Sequence, residues 1–93
     1  LGVPEQQLDF DFSVGPNPVA GNAKLSLNVV NAGDYQVELL DVTGKQVAVI
    51  HSGELSFGSH DFVIEASSLK SSGVYLIQVD NGQGRSVRKL VVQ

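Results

Sequence analysis

The sequence contains no cysteine. That absence removes disulfides, thiolate nucleophiles and cysteine-ligated metal sites together, so a folded core must rest on packing and backbone hydrogen bonds. It leaves the cellular compartment open. Basic residues are scarce: six Lys and Arg stand against ten Asp and Glu, for a net charge of −4 and a pI near 4.8. Nucleic acid is excluded as a partner on this ground, because non-specific affinity for it comes from phosphate counterions displaced by a basic surface. No apolar run approaches the roughly 20 residues of a membrane-spanning helix. The start, Leu1-Gly2-Val3-Pro4-Glu5, has neither an initiator Met nor a basic leader, so the chain reads as an excised or processed piece. What is present is sufficient for folding: 42% hydrophobic residues and 17% charged residues in 93 supply core material and too little charge for disorder. The length is about that of one domain and excludes a two-domain enzyme. A chain of this size buries only roughly 60–65% of its unfolded surface, which leaves little room for a deep pocket beside the core.

The dominant period is two. In Leu8-Asp9-Phe10-Asp11-Phe12-Ser13-Val14 every second residue is apolar, as a half-buried strand requires. The alternation recurs in Lys24-Leu25-Ser26-Leu27-Asn28-Val29, after a break containing Pro16, Pro18 and Gly21. Tyr35, Val37 and Leu39 share a face of a third strand, and Val47 and Val49 lead a fourth. Between them, Asp41-Val42-Thr43-Gly44-Lys45 predicts a tight hairpin: the Asp accepts from backbone N–H groups ahead of it, and Gly44 takes the left-handed conformation needed to re-enter a strand. A fifth strand is expected over His60–Glu65, a sixth over Val74–Val79 and a seventh over Ser86–Val92, with Asn81-Gly82-Gln83-Gly84 joining the last two.

Seven short strands and no amphipathic helix predict an all-β fold, a single antiparallel immunoglobulin-like β-sandwich. Tyr75, near the start of the penultimate strand and after a turn-rich segment, matches a tyrosine corner, whose hydroxyl bonds a backbone group upstream. Residues 1–7 lack periodicity and read as a linker remnant; residues 8–93 read as the domain.

Little in the sequence suggests catalysis. His51 and His60 have no ligand partner at helical spacing, and Asp9 and Asp11 lack the dense oxygen donors of a calcium loop. No nucleophile elbow surrounds any Ser, and Gly82-Gln83-Gly84 sits in a hairpin rather than at a strand-to-helix phosphate site. The expectation is a non-enzyme without metal or cofactor. Arg85, Arg88 and Lys89 are half of all basic residues, gathered on the last strand beside Leu90-Val91-Val92; they read either as ordinary solvent-facing side chains or as a charged label for another protein.

Three blocks, taken in order, resemble the C-terminal sorting domain of type IX secretion substrates, the Por-secretion type A family. They are Pro16-Asn17-Pro18; Val37-Glu38-Leu39-Leu40-Asp41-Val42-Thr43-Gly44-Lys45-Gln46-Val47; and Leu69–Gln93, with Ser72-Gly73-Val74-Tyr75 and the ending Arg88-Lys89-Leu90-Val91-Val92-Gln93. Val14-Gly15 depart from the pattern, where the family often has an aromatic residue. The resemblance implies a sorting signal that directs an attached N-terminal cargo domain across the outer membrane of a Gram-negative bacterium, through the periplasm to the cell surface or medium. It implies an outer-membrane translocon as partner and removal by a sortase-like peptidase, with the cut in residues 1–12. The matching motif positions are Pro16, Asn17, Pro18, Asp41, Thr43, Gly44, Gly73, Tyr75, Lys89, Leu90, Val91, Val92 and Gln93; Gly44 and Gly73 are assigned first to backbone geometry. A last strand displayed at a sheet edge suits recognition by strand addition, and the same edge permits a dimer of the isolated protein. The alternatives are a structural spacer, or a fibronectin-like or carbohydrate-binding accessory module. Sugar binding asks for an aromatic platform, whereas Trp is absent and Phe57 alone reads as exposed.

Overall fold

Strands form where apolar residues alternate, and turns where Gly, Asn and Asp cluster. The computed structural model describes residues 10–15, 21–65, 69 and 71–93. Its strands are β1 (Phe10–Gly15), β2 (Asn22–Val29), β3 (Gly33–Asp41), β4 (Gln46–Leu55), β5 (Gly58–Glu65), β6 (Gly73–Asp80) and β7 (Arg85–Val92). They pair antiparallel into a three-stranded sheet, β1-β2-β5, and a four-stranded sheet, β4-β3-β6-β7. The expected seven-stranded immunoglobulin-like sandwich is the fold observed. The Pro16-Asn17-Pro18 break lies outside the described residues.

The core takes alternate residues from both sheets. Leu25, Leu27 and Val29 of β2 are fully buried, as are Tyr35 and Val37 of β3, Ile77 and Val79 of β6 and Leu90 of β7. Burying each such side chain contributes about 1.5–3 kcal/mol against leaving it in water. The Phe10 and Tyr35 rings meet edge to face across the sheets, with centroids 5.6 Å apart. Among the described residues no polar or charged residue is buried, so the core carries no desolvated charge.

β4 departs from the sequence pattern. Its run Val47-Ala48-Val49-Ile50 has no clean alternation, and its register against β3 skips Ile50 and then Val47, giving two bulges. Val47 and Val49 are exposed in consequence.

The tyrosine corner expected at Tyr75 is present: its hydroxyl donates to the Ser71 carbonyl at 2.6 Å. A second corner, which the sequence reading did not anticipate, repeats it. The Tyr35 hydroxyl donates to the Asn31 carbonyl at 2.8 Å, again four residues back. The two share a pattern, Asn31-Ala32-Gly33-Asp34-Tyr35 and Ser71-Ser72-Gly73-Val74-Tyr75, on neighbouring antiparallel strands, so one pins each end of the β3–β6 pair. Tyr75→Phe and Tyr35→Phe are each expected to cost about 1 kcal/mol in urea unfolding, the net value of a hydrogen bond. The losses should add, because the sites lie at opposite ends of the pair; an unchanged midpoint for either variant removes that corner from the account.

Candidate functional site

The Asp41 turn closes as its residue types dictate. Asp41 Oδ1 accepts three hydrogen bonds: from the Thr43 hydroxyl at 2.6 Å, the Thr43 amide at 2.9 Å and the Lys45 amide at 3.0 Å. The Asp41 amide donates to the Lys45 carbonyl, and the Gly44 amide to the Asp41 carbonyl. Gly44 holds φ at 88°, where a side chain is strained. These donors, the Thr43 hydroxyl foremost, hold the Asp41 carboxyl below its ordinary value of 3.8. The second hairpin uses the same chemistry, with Asn81 Oδ1 accepting from the Gln83 and Gly84 amides.

Gly73 opens β6 with φ at 135°. A Cβ there would meet nothing within 4 Å, so the requirement for glycine comes from the backbone conformation and not from crowding.

Motif residues distant in sequence converge at one end of the four-stranded sheet. Asp41 is the register partner of Tyr75, and Tyr75 of Leu90, so one row crosses β3, β6 and β7. Gly73 pairs with Val92, and Val74 with Val91, in the adjoining rows. The Asp41–Lys45 turn, the start of β6 and the end of β7 therefore lie together at one end of the sheet. Pro16, Asn17 and Pro18 lie outside the described residues.

β7 divides its motif between two faces. Leu90 and Val92 are buried in the core, and Val87 and Lys89 point outward. The basic trio does not share a face. Arg88 turns to the inner side, with its guanidinium 5.5 Å from the centre of the Phe12 ring, and closes the seam between β7 and β1. Arg85 pairs with Asp80 at 3.4 Å across the hairpin.

β7 ends the four-stranded sheet and pairs with β6 over eight residues without a register shift. The opposite edge, β4, is broken by its two bulges. Bulges discourage edge pairing, and a regular strand permits it.

On the other side of the sandwich, β4 and β5 part to leave a groove of about 490 Å³, lined by Ile50, Phe62, Ile64 and Leu69 with Asp61 and Glu65 beside them. Asp61 pairs with Lys24 at 3.2 Å. The Phe62 ring is half-buried and lies against His51. Phe57, 75% exposed, lies in the β4–β5 turn and does not line the groove, so no aromatic platform for a sugar forms there. The His51 and His60 rings each bond a backbone carbonyl, of Gly53 and Ser56. Among the described residues no three His, Asp or Glu gather as metal ligands.

A family model described as a secretion system C-terminal sorting domain matches residues 13–93. No curated protein matches the chain. Among solved structures, the crystal structure of dimeric latent PorU from Porphyromonas gingivalis is similar, with a TM-score of 0.64 and 20% identity over 89% of this chain. The chain spans 9% of the length of that PorU chain. At that identity the likeness concerns the fold.

Two outcomes test the local geometry. Gly73→Ala is expected to destabilise the domain by about 1–3 kcal/mol, the usual cost of a strained backbone position; a stability equal to wild type would remove the backbone requirement. Because the folded Asp41 carboxyl titrates below 3.8, its stabilisation is complete above that pH and is lost as the pH falls through the folded value. The difference in thermal midpoint between wild type and Asp41→Asn should therefore narrow as the pH drops below 3.8. A constant difference would contradict it.

Proposed function

Since the chain belongs to the secretion-system C-terminal sorting domain family, we propose that it is a type IX sorting signal read through the surface where Asp41, Tyr75 and the end of β7 meet. Family membership supports a route toward the outer membrane and cell surface of a Gram-negative bacterium. The domain acts as a signal rather than a catalyst. The observation that carries this reading is the convergence of motif residues distant in sequence, Asp41 with Tyr75 and Leu90, onto one end of one sheet, beside its regular edge.

The mode of reading is strand addition. A receptor strand in the outer-membrane machinery pairs with the β7 edge, where main-chain hydrogen bonds supply affinity and alternate side chains supply specificity. The outward Lys89 supplies specificity, while Leu90 and Val92 hold the strand to its core. Asp41, Thr43, Gly44 and Gly73 keep the adjoining turns in shape. A sortase-like peptidase then separates the domain from its N-terminal cargo within residues 1–12, the span that includes the linker remnant at 1–7.

The test is export of a fluorescent reporter carrying residues 1–93 at its C-terminus behind an N-terminal secretion signal, in a type IX-competent host and in its secretion-null mutant. Surface or medium signal in the competent host alone is expected, and the released reporter's new C-terminus maps the cut. Periplasmic retention of folded reporter in both hosts would overturn the proposal. Deleting Lys89–Gln93 is expected to abolish export, but it also removes Leu90 and Val92 from the core. Lys89→Glu separates the two causes: it should leave urea stability within about 0.5 kcal/mol of wild type, as surface changes do, and reduce export.

A further inference from the structure

Of the five asparagines in the sequence, Asn81 alone is followed by glycine. Asn22, Asn28 and Asn31 precede Ala23, Val29 and Ala32, whose Cβ atoms crowd any approach of the asparagine side chain to the next nitrogen. Asn17 precedes Pro18, whose nitrogen carries no proton. Gly82 presents neither obstacle.

The β6–β7 turn surrounds this pair with groups suited to a reaction. The Gly82 amide donates to Asp80 Oδ1 at 2.7 Å. Asn81 Oδ1 accepts from the Gln83 amide at 2.9 Å and the Gly84 amide at 2.8 Å. Asp80 Oδ2 pairs with Arg85 at 3.4 Å, which orients the carboxylate. Residues 80–84 therefore gather a nitrogen, an acceptor for its proton and two donors on the adjacent carbonyl oxygen. Gly82 and Gln83 are exposed, so water reaches the turn.

We infer that Asn81 is a site of self-modification, at which the folded turn converts the asparagine to aspartate and isoaspartate. The Gly82 nitrogen attacks Asn81 Cγ, and a five-membered ring closes as the N–C bond forms. Asp80 Oδ1 takes the proton from that nitrogen. The charge that develops on Asn81 Oδ1 rests between the Gln83 and Gly84 amides, the arrangement of an oxyanion hole. The Cγ–Nδ2 bond then breaks, and Nδ2 leaves as ammonia with the proton that Asp80 returns. Water adds to either carbonyl of the succinimide and opens it. One opening leaves aspartate at position 81, and the other leaves isoaspartate, with the main chain routed through the side-chain carbon.

The isoaspartyl linkage lengthens the backbone by one carbon inside the turn. It displaces the acceptor of the Gln83 and Gly84 amides and sets a new carboxylate beside Asp80, so the first β6–β7 pair, Asp80 with Arg85, loosens. Position 81 lies at the other end of β7 from Lys89–Gln93, and the inference stands apart from the export reading.

Peptide mapping of residues 1–93, held in neutral buffer at physiological temperature, is the experiment. Ammonia should be lost at Asn81, with aspartate and isoaspartate both formed there, while Asn22, Asn28 and Asn31 stay intact. Asp80→Asn keeps an acceptor for the Gly82 amide and removes the base. It should slow conversion about ten-fold, less than the roughly 10²–10⁴ of an enclosed acid or base because the turn is open to water. Loosening the turn acts with the opposite sign, since a freer Asn-Gly pair reacts faster, so a slowed reaction does not report lost structure. If Asp80→Asn fails to fold by circular dichroism, Asp80→Ser replaces it. The isoaspartyl chain, separated by its added charge, should melt below the unconverted chain. An Asn81 that stays intact, an Asp80→Asn chain that converts as fast as wild type, or an isoaspartyl chain that melts with wild type would each overturn the proposal.

Discussion

Two tyrosine hydroxyls fasten opposite ends of the central strand pair on which this sandwich is built. Each belongs to a ring with its body in the core and donates to a carbonyl four residues back, in the segment that leads into its strand. Each bond satisfies a hydroxyl and a carbonyl at once, for a net gain of about 1 kcal/mol. Because β3 and β6 are antiparallel neighbours at the centre of the larger sheet, the two corners anchor opposite ends of one strand pair. β4 and β7 then add to the outer sides of that pair.

The same anchoring positions the motif. Tyr75 sits between Asp41 and Leu90 in one row, so the residue that pins the entry to β6 also lines up the β3–β4 turn with the end of β7. Gly73, Tyr75, Leu90 and Val92 thus serve the fold directly. Val87 and Lys89 point outward from this frame, and the proposed reading uses Lys89. Core and solvent-facing positions are divided by face within a single strand, because successive strand residues point to opposite sides.

The edges of the larger sheet are likewise unequal. β4 carries two bulges that break its ladder, whereas β7 is regular. One edge is closed to strand pairing by its geometry and the other is open to it. Exposed valines stand on both outer faces, Val49 and Val87 on the larger sheet and Val63 on the smaller.

Local chemistry by itself determined much of this. Period-two alternation marked the strands because each is half-buried, and Asp, Asn and Gly marked the turns because their bonds close within five residues. The corner at Tyr75 was legible for the same reason, and the one at Tyr35 was written in the same pattern, Gly two residues before Tyr, without being read. What only the tertiary structure decided depends on register between distant strands. The convergence of Asp41, Tyr75 and Leu90, the turn of Arg88 onto Phe12 and the bulges of β4 all arise from pairings that sequence separation conceals. A one-residue change in those pairings would move every side chain to the other face, and the sum of many packed contacts, not any local signal, selects the one that is formed.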